Sequence, residues 1–416
     1  MALTSGRATV RDLRRVNRAA VLTRLFQEGP LNRAALVRLT GLSSGSITNV
    51  TAALLDEGLV VEAGQEDSDG GRPSTLLEVN PDFGVLIGVE LGETRIRVDA
   101  FDLGMGVLGT ADVSAHPQHH EAGQTLDQVV EAVDKLRRRL AREGRELLGV
   151  GMAVPGIVGY QDGQLRVHAP NIGWRDVALD PISKRLGLPL FADNGAKALG
   201  QAEMWLGAGR GTRHAVVVLW GTGVGAAIFT NGAVYRGATS SAGEWGHTAI
   251  VAGGKPCRCG ASGCLEAYVG GRAILAEWYR TDPAATPLPD PDSEAWLDRF
   301  IEASGSNVLS AAALDSVAVS FGVGVANLAN LFNPEKIVIG GWVGMKLAPV
   351  LLEKIRQTVE RQALEYTASR VSIEVGHFGA DAVALGASML VVDELLSNGG
   401  ALRPSTATRR RRSGVG

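Results

Sequence analysis

Apolar positions in the first eighty residues recur at helical spacing and then switch to alternation. Val21, Leu22 and Leu25 share one face of a helix predicted over 14–28. Asn32 is placed to cap a short second helix carrying Leu36 and Leu39. A third, over 44–57, repeats Ile47, Val50, Leu54 and Leu55 at intervals of three and four. Gly41 falls where two helices must turn sharply, and Gly58 ends the third. Strands over 59–62 and 74–79 flank a polar turn, residues 65–73. Three helices followed by a hairpin is the element order of a winged helix-turn-helix.

From Asp82 the pattern becomes apolar strands punctuated by glycine. A meander is predicted over 86–91, 95–101 and 107–113, then an amphipathic helix over 125–143 and a buried strand over 147–153. The run Arg137–Arg139 is expected on the solvated face of that helix. A second strand–turn–strand unit, 215–220 and 224–229 around Gly221-Thr222-Gly223, echoes the first around Gly92 and points to two related lobes. Thr281–Ser293 reads as a loop. Helices over 309–331 and 381–396 and a strand over 336–339 complete the pattern. The expected domains are 1–80, 81–396 in two lobes, and a disordered basic tail over 397–416.

Composition narrows the function. Glycine, 54 of 416 residues, is nearly double the usual ~7% and has no collagen period, so it marks tight turns and close backbone approaches. A net charge of −3 excludes a uniformly basic nucleic-acid binder. Yet residues 1–55 hold eight arginines against Asp12 and Glu28, a balance of +6, so the first module is suited to an anionic partner. The Gly-free apolar runs fall short of a bilayer span of ~18 residues, and no signal-peptide core follows the first arginines. A cytoplasmic protein with no membrane partner is expected.

All three cysteines lie in one short window. Cys257, Cys259 and Cys264, with His247, form a donor set suited to tetrahedral Zn²⁺. Counting alone leaves both a structural and an open catalytic zinc in play. Glu244 precedes His247 by three residues and Glu266 follows Cys264 by two. A metal loop can thus hold two carboxylates for sugar hydroxyls.

With these motifs in place, the chain resembles the ROK family (repressors, open reading frames and sugar kinases), in its repressor branch, from about Arg14 to Leu396. The resemblance is carried by Gly243-Glu244-Trp245-Gly246-His247, by the cysteine box from Cys257 to Glu266, by the strand–glycine motif from Asn333 to Gly341, and by the loop Pro170-Asn171-Ile172-Gly173-Trp174. It implies an α/β, two-lobed ribonuclease-H-like fold of the actin-like ATPase and sugar-kinase type. It also implies a structural zinc behind a sugar pocket built from Asn171, Asn194, Glu244, His247 and Glu266.

Two departures argue against phosphoryl transfer. The family's kinases place a catalytic aspartate in a loop that here reads Asp193-Asn194-Gly195-Ala196-Lys197, with Gly195 at the base position. Their first phosphate loop carries two adjacent glycines; here it is Glu90-Leu91-Gly92-Glu93-Thr94, and Glu93 is expected to repel a triphosphate. The expected function is therefore a sugar-sensing repressor of carbohydrate-utilisation genes with no catalytic residues. A sugar kinase with an appended DNA-binding domain is the alternative, and a zinc-stabilised scaffold whose winged helix binds protein is a third reading. In the favoured reading Ser44, Ser46, Thr48 and Asn49 face the major groove and Arg72 reaches the minor groove. A homodimer, or dimer of dimers, would read an inverted repeat and answer to a sugar or sugar phosphate.

Overall fold

The computed structural model describes residues 9–66, 73–93, 95–113, 121–286, 294–379 and 381–402. Helix α1 (Val10–Glu28) starts four residues before the expected point because Thr9 and Asp12 form a reciprocal capping box. Strand β1 (Leu31–Asn32) leads into α2 (Arg33–Thr40), where the Asn32 side chain accepts from the Ala35 amide. Gly41 ends α2 at φ 71°, the left-handed conformation the turn requires. Ser43 caps α3 (Ser44–Asp56), and β2 (Val60–Glu66) pairs with β3 (Ser74–Val79). Val21, Leu22, Leu25, Leu36, Ile47, Leu54 and Leu77 close the core of this module of three helices and a strand pair.

The proximal lobe begins with the meander β4 (Val85–Leu91), β5 (Ile96–Phe101) and β6 (Val107–Val113), followed by α4 (Ala122–Arg142) and β7 (Leu147–Val154). The short antiparallel strands β8 (Ile157–Gln161), β9 (Gln164–Ala169) and β10 (Trp174–Ala178) form a side sheet. Then come α5 (Asp180–Leu186), β11 (Leu190–Asn194) and α6 (Gly195–Leu206). The main sheet runs β11-β7-β4-β5-β6.

The distal lobe repeats this plan. Strands β12 (Ala215–Trp220), β13 (Val224–Thr230) and β14 (Ala233–Val234) form its meander; helices α7 (Glu266–Val269), α8 (Gly271–Thr281), α9 (Ala295–Ser304) and α10 (Val308–Phe332) follow. Strand β15 (Lys336–Gly340), α11 (Trp342–Gln362), α12 (Glu365–Ala368) and β16 (Ser372–Val375) complete it. The order β14-β13-β12-β15-β16 has the same mixture of senses as the first sheet: antiparallel within the meander, parallel beyond it. The related lobes anticipated from the two strand–turn–strand units are thus present as one topology used twice. Helix α10 is long and apolar enough by composition to cross a bilayer, but Leu314, Val317, Phe321, Val325 and Leu328 spend its apolar face in the distal core.

The last helix, α13 (Ala382–Ser397), returns to the proximal lobe and lies on its sheet at backbone contact. A Cβ on Gly88 would stand 2.0 Å from the Ala384 carbonyl oxygen, and one on Gly151 1.8 Å from that of Ala387. The far end of α13 shares the core of the N-terminal module through Leu395 and Leu396.

Two expectations are refined. Of the run Arg137–Arg139, Arg138 and Arg139 are exposed, as a solvated face requires, and the half-buried Arg137 donates to the Leu186 carbonyl at the end of α5 at 2.6 Å. The expected boundary at Leu396 is also passed. Gly399 and Gly400 adopt φ 69° and 97° and turn the chain onto α1, and Leu402 is packed there too. The rest of the expected tail, residues 403–416, lies outside the described residues, as does 287–293 of the expected loop.

Candidate functional site

The cysteine box is folded by its glycines. Gly260 and Gly263 have φ 95° and 81°, and a Cβ on Gly263 would fall 1.7 Å from the Val251 carbonyl oxygen. The Cys257 amide donates to Ala261 at 2.8 Å and the Gly260 amide returns to the Cys257 carbonyl at 3.0 Å. The resulting knuckle brings one donor atom each from His247, Cys257, Cys259 and Cys264 within 4.8 Å of one another. Cys259 Sγ lies 3.8 Å from Cys264 Sγ, and Cys257 Sγ 3.7 Å from His247 Nδ1. A tetrahedron of Zn–S bonds of about 2.3 Å has edges of about 3.8 Å. The spacing and the chemistry of the donor set therefore fit a four-coordinate zinc.

The metal loop aims Arg258 into the cleft. Its guanidinium donates to both carboxylate oxygens of Glu93 at 2.6 and 2.7 Å and, through Nε, to Glu266 at 3.0 Å. Glu93 also accepts from Asn171 Nδ2 at 2.7 Å, and Glu266 accepts from the Val224 amide at 3.0 Å. Burial pushes the Glu93 carboxyl up, but the bonds and charge of Arg258, helped by Asn171, outweigh it and hold it below its ordinary value. Burial likewise opposes the charge on Arg258, and Glu93 and Glu266 hold it protonated. Glu93 thus stands as half of an ion pair, and the expected free negative charge is absent.

Of the five residues expected to meet sugar, Asn171 and Glu266 are joined through Glu93 and Arg258. His247 belongs to the thiolate cluster, and its amide donates to the Glu244 carbonyl at 3.1 Å. The Glu244 residue is exposed. Asn194 is committed to the backbone: its Oδ1 accepts from Ala196 at 2.9 Å, capping α6, and its Nδ2 donates to the Gly156 carbonyl at 2.8 Å. Asp193 is buried beside it and paired with Arg236 at 2.6 Å. Lys197, one turn on, is buried with its ammonium on the Ser240 carbonyl; burial lowers its pKa, with Asp193 opposing. A Cβ on Gly195 would meet nothing closer than 3.4 Å, so the position has room for a side chain it lacks.

Sequence reasoning missed Arg258, Arg236 and Lys197. Arg258 alone left a trace, as a charged residue fixed between two metal ligands. Beyond it a cavity of about 520 Å³ is lined by Thr222, Lys255, Arg258, Glu266, Arg272 and Glu277.

On α3, Ser44, Thr48 and Asn49 are exposed. The Ser46 hydroxyl lies 2.9 Å from that of the capping Ser43, and Thr48 donates to the Ser44 carbonyl at 2.9 Å. Arg72 lies outside the described residues.

The ROK family model matches residues 86–394. The chain belongs to the ROK family. Its relatives differ in how much of this chain they match. The xylose repressor of Caldicellulosiruptor bescii is 31% identical over 92% of this chain and 97% of its own. The glucokinase of Halalkalibacterium halodurans is 36% identical, but over 73% of this chain and 94% of its own. Among solved structures, a ROK family transcriptional regulator, a homolog of the Escherichia coli MLC protein, superposes with a TM-score of 0.77 at 26% identity, covering 93% of this chain and 97% of that one. A ROK family glucokinase from Streptomyces griseus, solved with glucose and AMPPNP, gives 0.64 at 29% identity over 74% of this chain and 99% of its own.

Proposed function

We propose that this ROK protein is a sugar-responsive transcriptional repressor of carbohydrate-utilisation genes. The observation that carries the reading is the extent of the likeness: the match to repressors continues through the winged helix, whereas the match to glucokinases covers only about three quarters of the chain. The +6 balance of the first 55 residues suits operator phosphates. Ser44, Ser46, Thr48 and Asn49 of α3, with Arg72 of the wing, are the groups assigned to DNA. Two copies on a two-fold axis, alone or as a dimer of dimers, match an inverted repeat.

The effector is a sugar or sugar phosphate held in the cleft by Asn171, Asn194, Glu244, His247 and Glu266. Structural zinc on His247, Cys257, Cys259 and Cys264 fixes the wall that carries Glu266 and Arg258. A cytoplasmic site of action follows from this role. Phosphoryl transfer is not part of it. Gly195 offers no carboxylate to take a hydroxyl proton, a contribution of roughly 10²–10⁴-fold in enzymes that have one. The pair Glu93–Arg258 fills space beside the Gly221-Thr222-Gly223 turn, and Arg258 lies 3.1 Å from where a Cβ on Gly223 would be.

The test is a fluorescence-anisotropy titration of promoter DNA containing an inverted repeat, repeated across a panel of free and phosphorylated sugars. Salt-dependent operator binding that one sugar weakens is the expected result. Sugar-dependent ATP turnover without operator binding would move the chain to the kinase reading.

A further inference from the structure

The turn joining β4 to β5 carries a charge on each side of Thr94, and each charge crosses the cleft. Glu93 is paired with Arg258 of the distal lobe, as described. Arg95 Nη1 lies 3.7 Å from Glu294 Oε1, at the start of α9, also in the distal lobe. The turn is braced from behind: the Gly92 amide donates to the Arg95 carbonyl at 2.9 Å. Arg95 also meets Glu90 at 3.4 Å and Asp381 at 3.8 Å. The Glu93 pair is the stronger of the two, being short, bidentate and 94% removed from solvent on its carboxylate side. On the distal side it is continuous with backbone, since Glu266 ties Arg258 to the Val224 amide at the end of the second glycine turn.

We propose that the β4–β5 turn is an interlobe clasp, which closes the cleft of this protein on two ion pairs. The inference rests on the two-lobed architecture and not on operator binding. Glu93, Arg258 and Glu266 occupy the space between the two glycine turns, Gly92 and Gly221–Gly223. Closure is therefore built into the chain's own side chains. Breaking Glu93 from Arg258 leaves the buried Glu93 carboxylate with Asn171 as its remaining partner and no compensating cation, so an open cleft is disfavoured until another polar group takes the place of Arg258.

The experiment uses the full-length, zinc-loaded protein. Glu93→Gln, Arg258→Gln and the double variant are compared by small-angle scattering and by hydrogen exchange at the Val224 amide. Val224 is the useful reporter because it lies in the lobe opposite Glu93. The clasp predicts that Glu93→Gln expands the radius of gyration and raises exchange at Val224 about tenfold. It also predicts that the double variant is no more open than Arg258→Gln alone, since Glu93→Gln removes only a pair that Arg258→Gln has already broken along with its bond to Glu266. Zinc content is measured alongside, because Arg258 stands between two thiolates. Glu294→Gln, outside the metal loop, should open the cleft in the same direction and by less. An unchanged Val224 amide in Glu93→Gln, or additive effects in the double variant, overturns the clasp. Loss of sugar-responsive operator binding with this coupling intact would instead count against the repressor reading alone.

Discussion

Arg18, in the middle of the first helix, donates from Nε to the carbonyl oxygen of Gly399 at 2.6 Å, across 381 positions of sequence. The same guanidinium takes both oxygens of Glu57 at 2.7 and 2.5 Å, and this holds the Glu57 carboxyl below its ordinary value. Gly400 follows, with its Cα so close that a Cβ would lie 2.5 Å from Leu59 Cδ2. The N-terminal module is thereby docked on the end of α13. The other end of α13 begins beside Asp381, which accepts from Arg97 at 2.6 Å, next to the clasp. Sixteen residues at 1.5 Å each make α13 about 24 Å long, enough to join the two regions with one rigid element.

Gly400→Val should uncouple them. The substitution introduces both a clash with Leu59 and a side chain at φ 97°. Sugar affinity, measured by calorimetry, should be retained. The effect of sugar on operator binding, normally on the order of 5- to 150-fold for a coupling of this kind, should collapse toward one. Retention of the full response would show that the signal bypasses α13.

Cys259→Ser should lower bound zinc from about one per chain, and chelation of the native protein should lower its melting temperature. Metal analysis after gel filtration checks the first and a thermal melt the second. Full occupancy in a Cys257→Ser, Cys259→Ser double variant would remove the assignment.

Glu266→Gln should abolish the sugar response while leaving operator affinity within about twofold. Glu266→Ala should do the same with an added loss of stability of about 1–3 kcal/mol, because the buried Val224 amide and Arg258 lose their acceptor. Urea titration separates the two. A sugar response that survives both changes places the effector elsewhere.

Gly195→Asp should not create a kinase, although the position has room for the side chain. The Glu93–Arg258 pair still fills the cleft. Only with Glu93→Gly added should binding of AMPPNP become measurable. Sugar-dependent ATP turnover by Gly195→Asp alone would mean that the pair does not exclude nucleotide.

Stability should fall as pH rises from about 4.5 to about 7. Burial of Glu90 is the main cause, raising its carboxyl to about 7; Arg95 and Arg97 oppose the shift, and Asp381 and Glu294 add to it. A carboxyl whose folded value is raised binds its proton more tightly in the native state. Its contribution is therefore favourable below the ordinary value and is lost as pH climbs through the folded one. The whole effect is at most about 3 kcal/mol, and Glu90→Gln should flatten the profile of melting temperature against pH.

Much of this was legible along the chain. Periodicity located the helices because α1 and α4 bury one face each, and the glycine turns marked both meanders. The metal cluster was legible because its donors are local in sequence. The clasp was not. Glu93 could be recognised as out of place, but its meaning depends on Arg258, 165 residues away, and local pattern does not reveal such pairing. Asn194 shows a second kind of gap. It lies in the loop expected to meet sugar, and local pattern did not reveal that its amide also caps α6 and braces the Gly156 carbonyl. Helix α13 was placed almost to the residue, but its role depended on the Gly399-Gly400 turn, where composition suggested only a tail.

The glycines beneath α13 bear on how it can move. At Gly88 and Gly151 the helix backbone rests on the sheet with no side chain between them, and at Gly386 the helix α6 rests on α13 in turn, a Cβ there falling 1.9 Å from the Ala198 carbonyl oxygen. A shaft seated in a keyway can neither roll nor drift sideways. What it can pass on is tilt, and over 24 Å a tilt of a few degrees at the keyed end becomes an ångström or two at the other. In the proposed pair astride an inverted repeat, that displacement would be added twice to the separation of the two α3 helices, once from each copy.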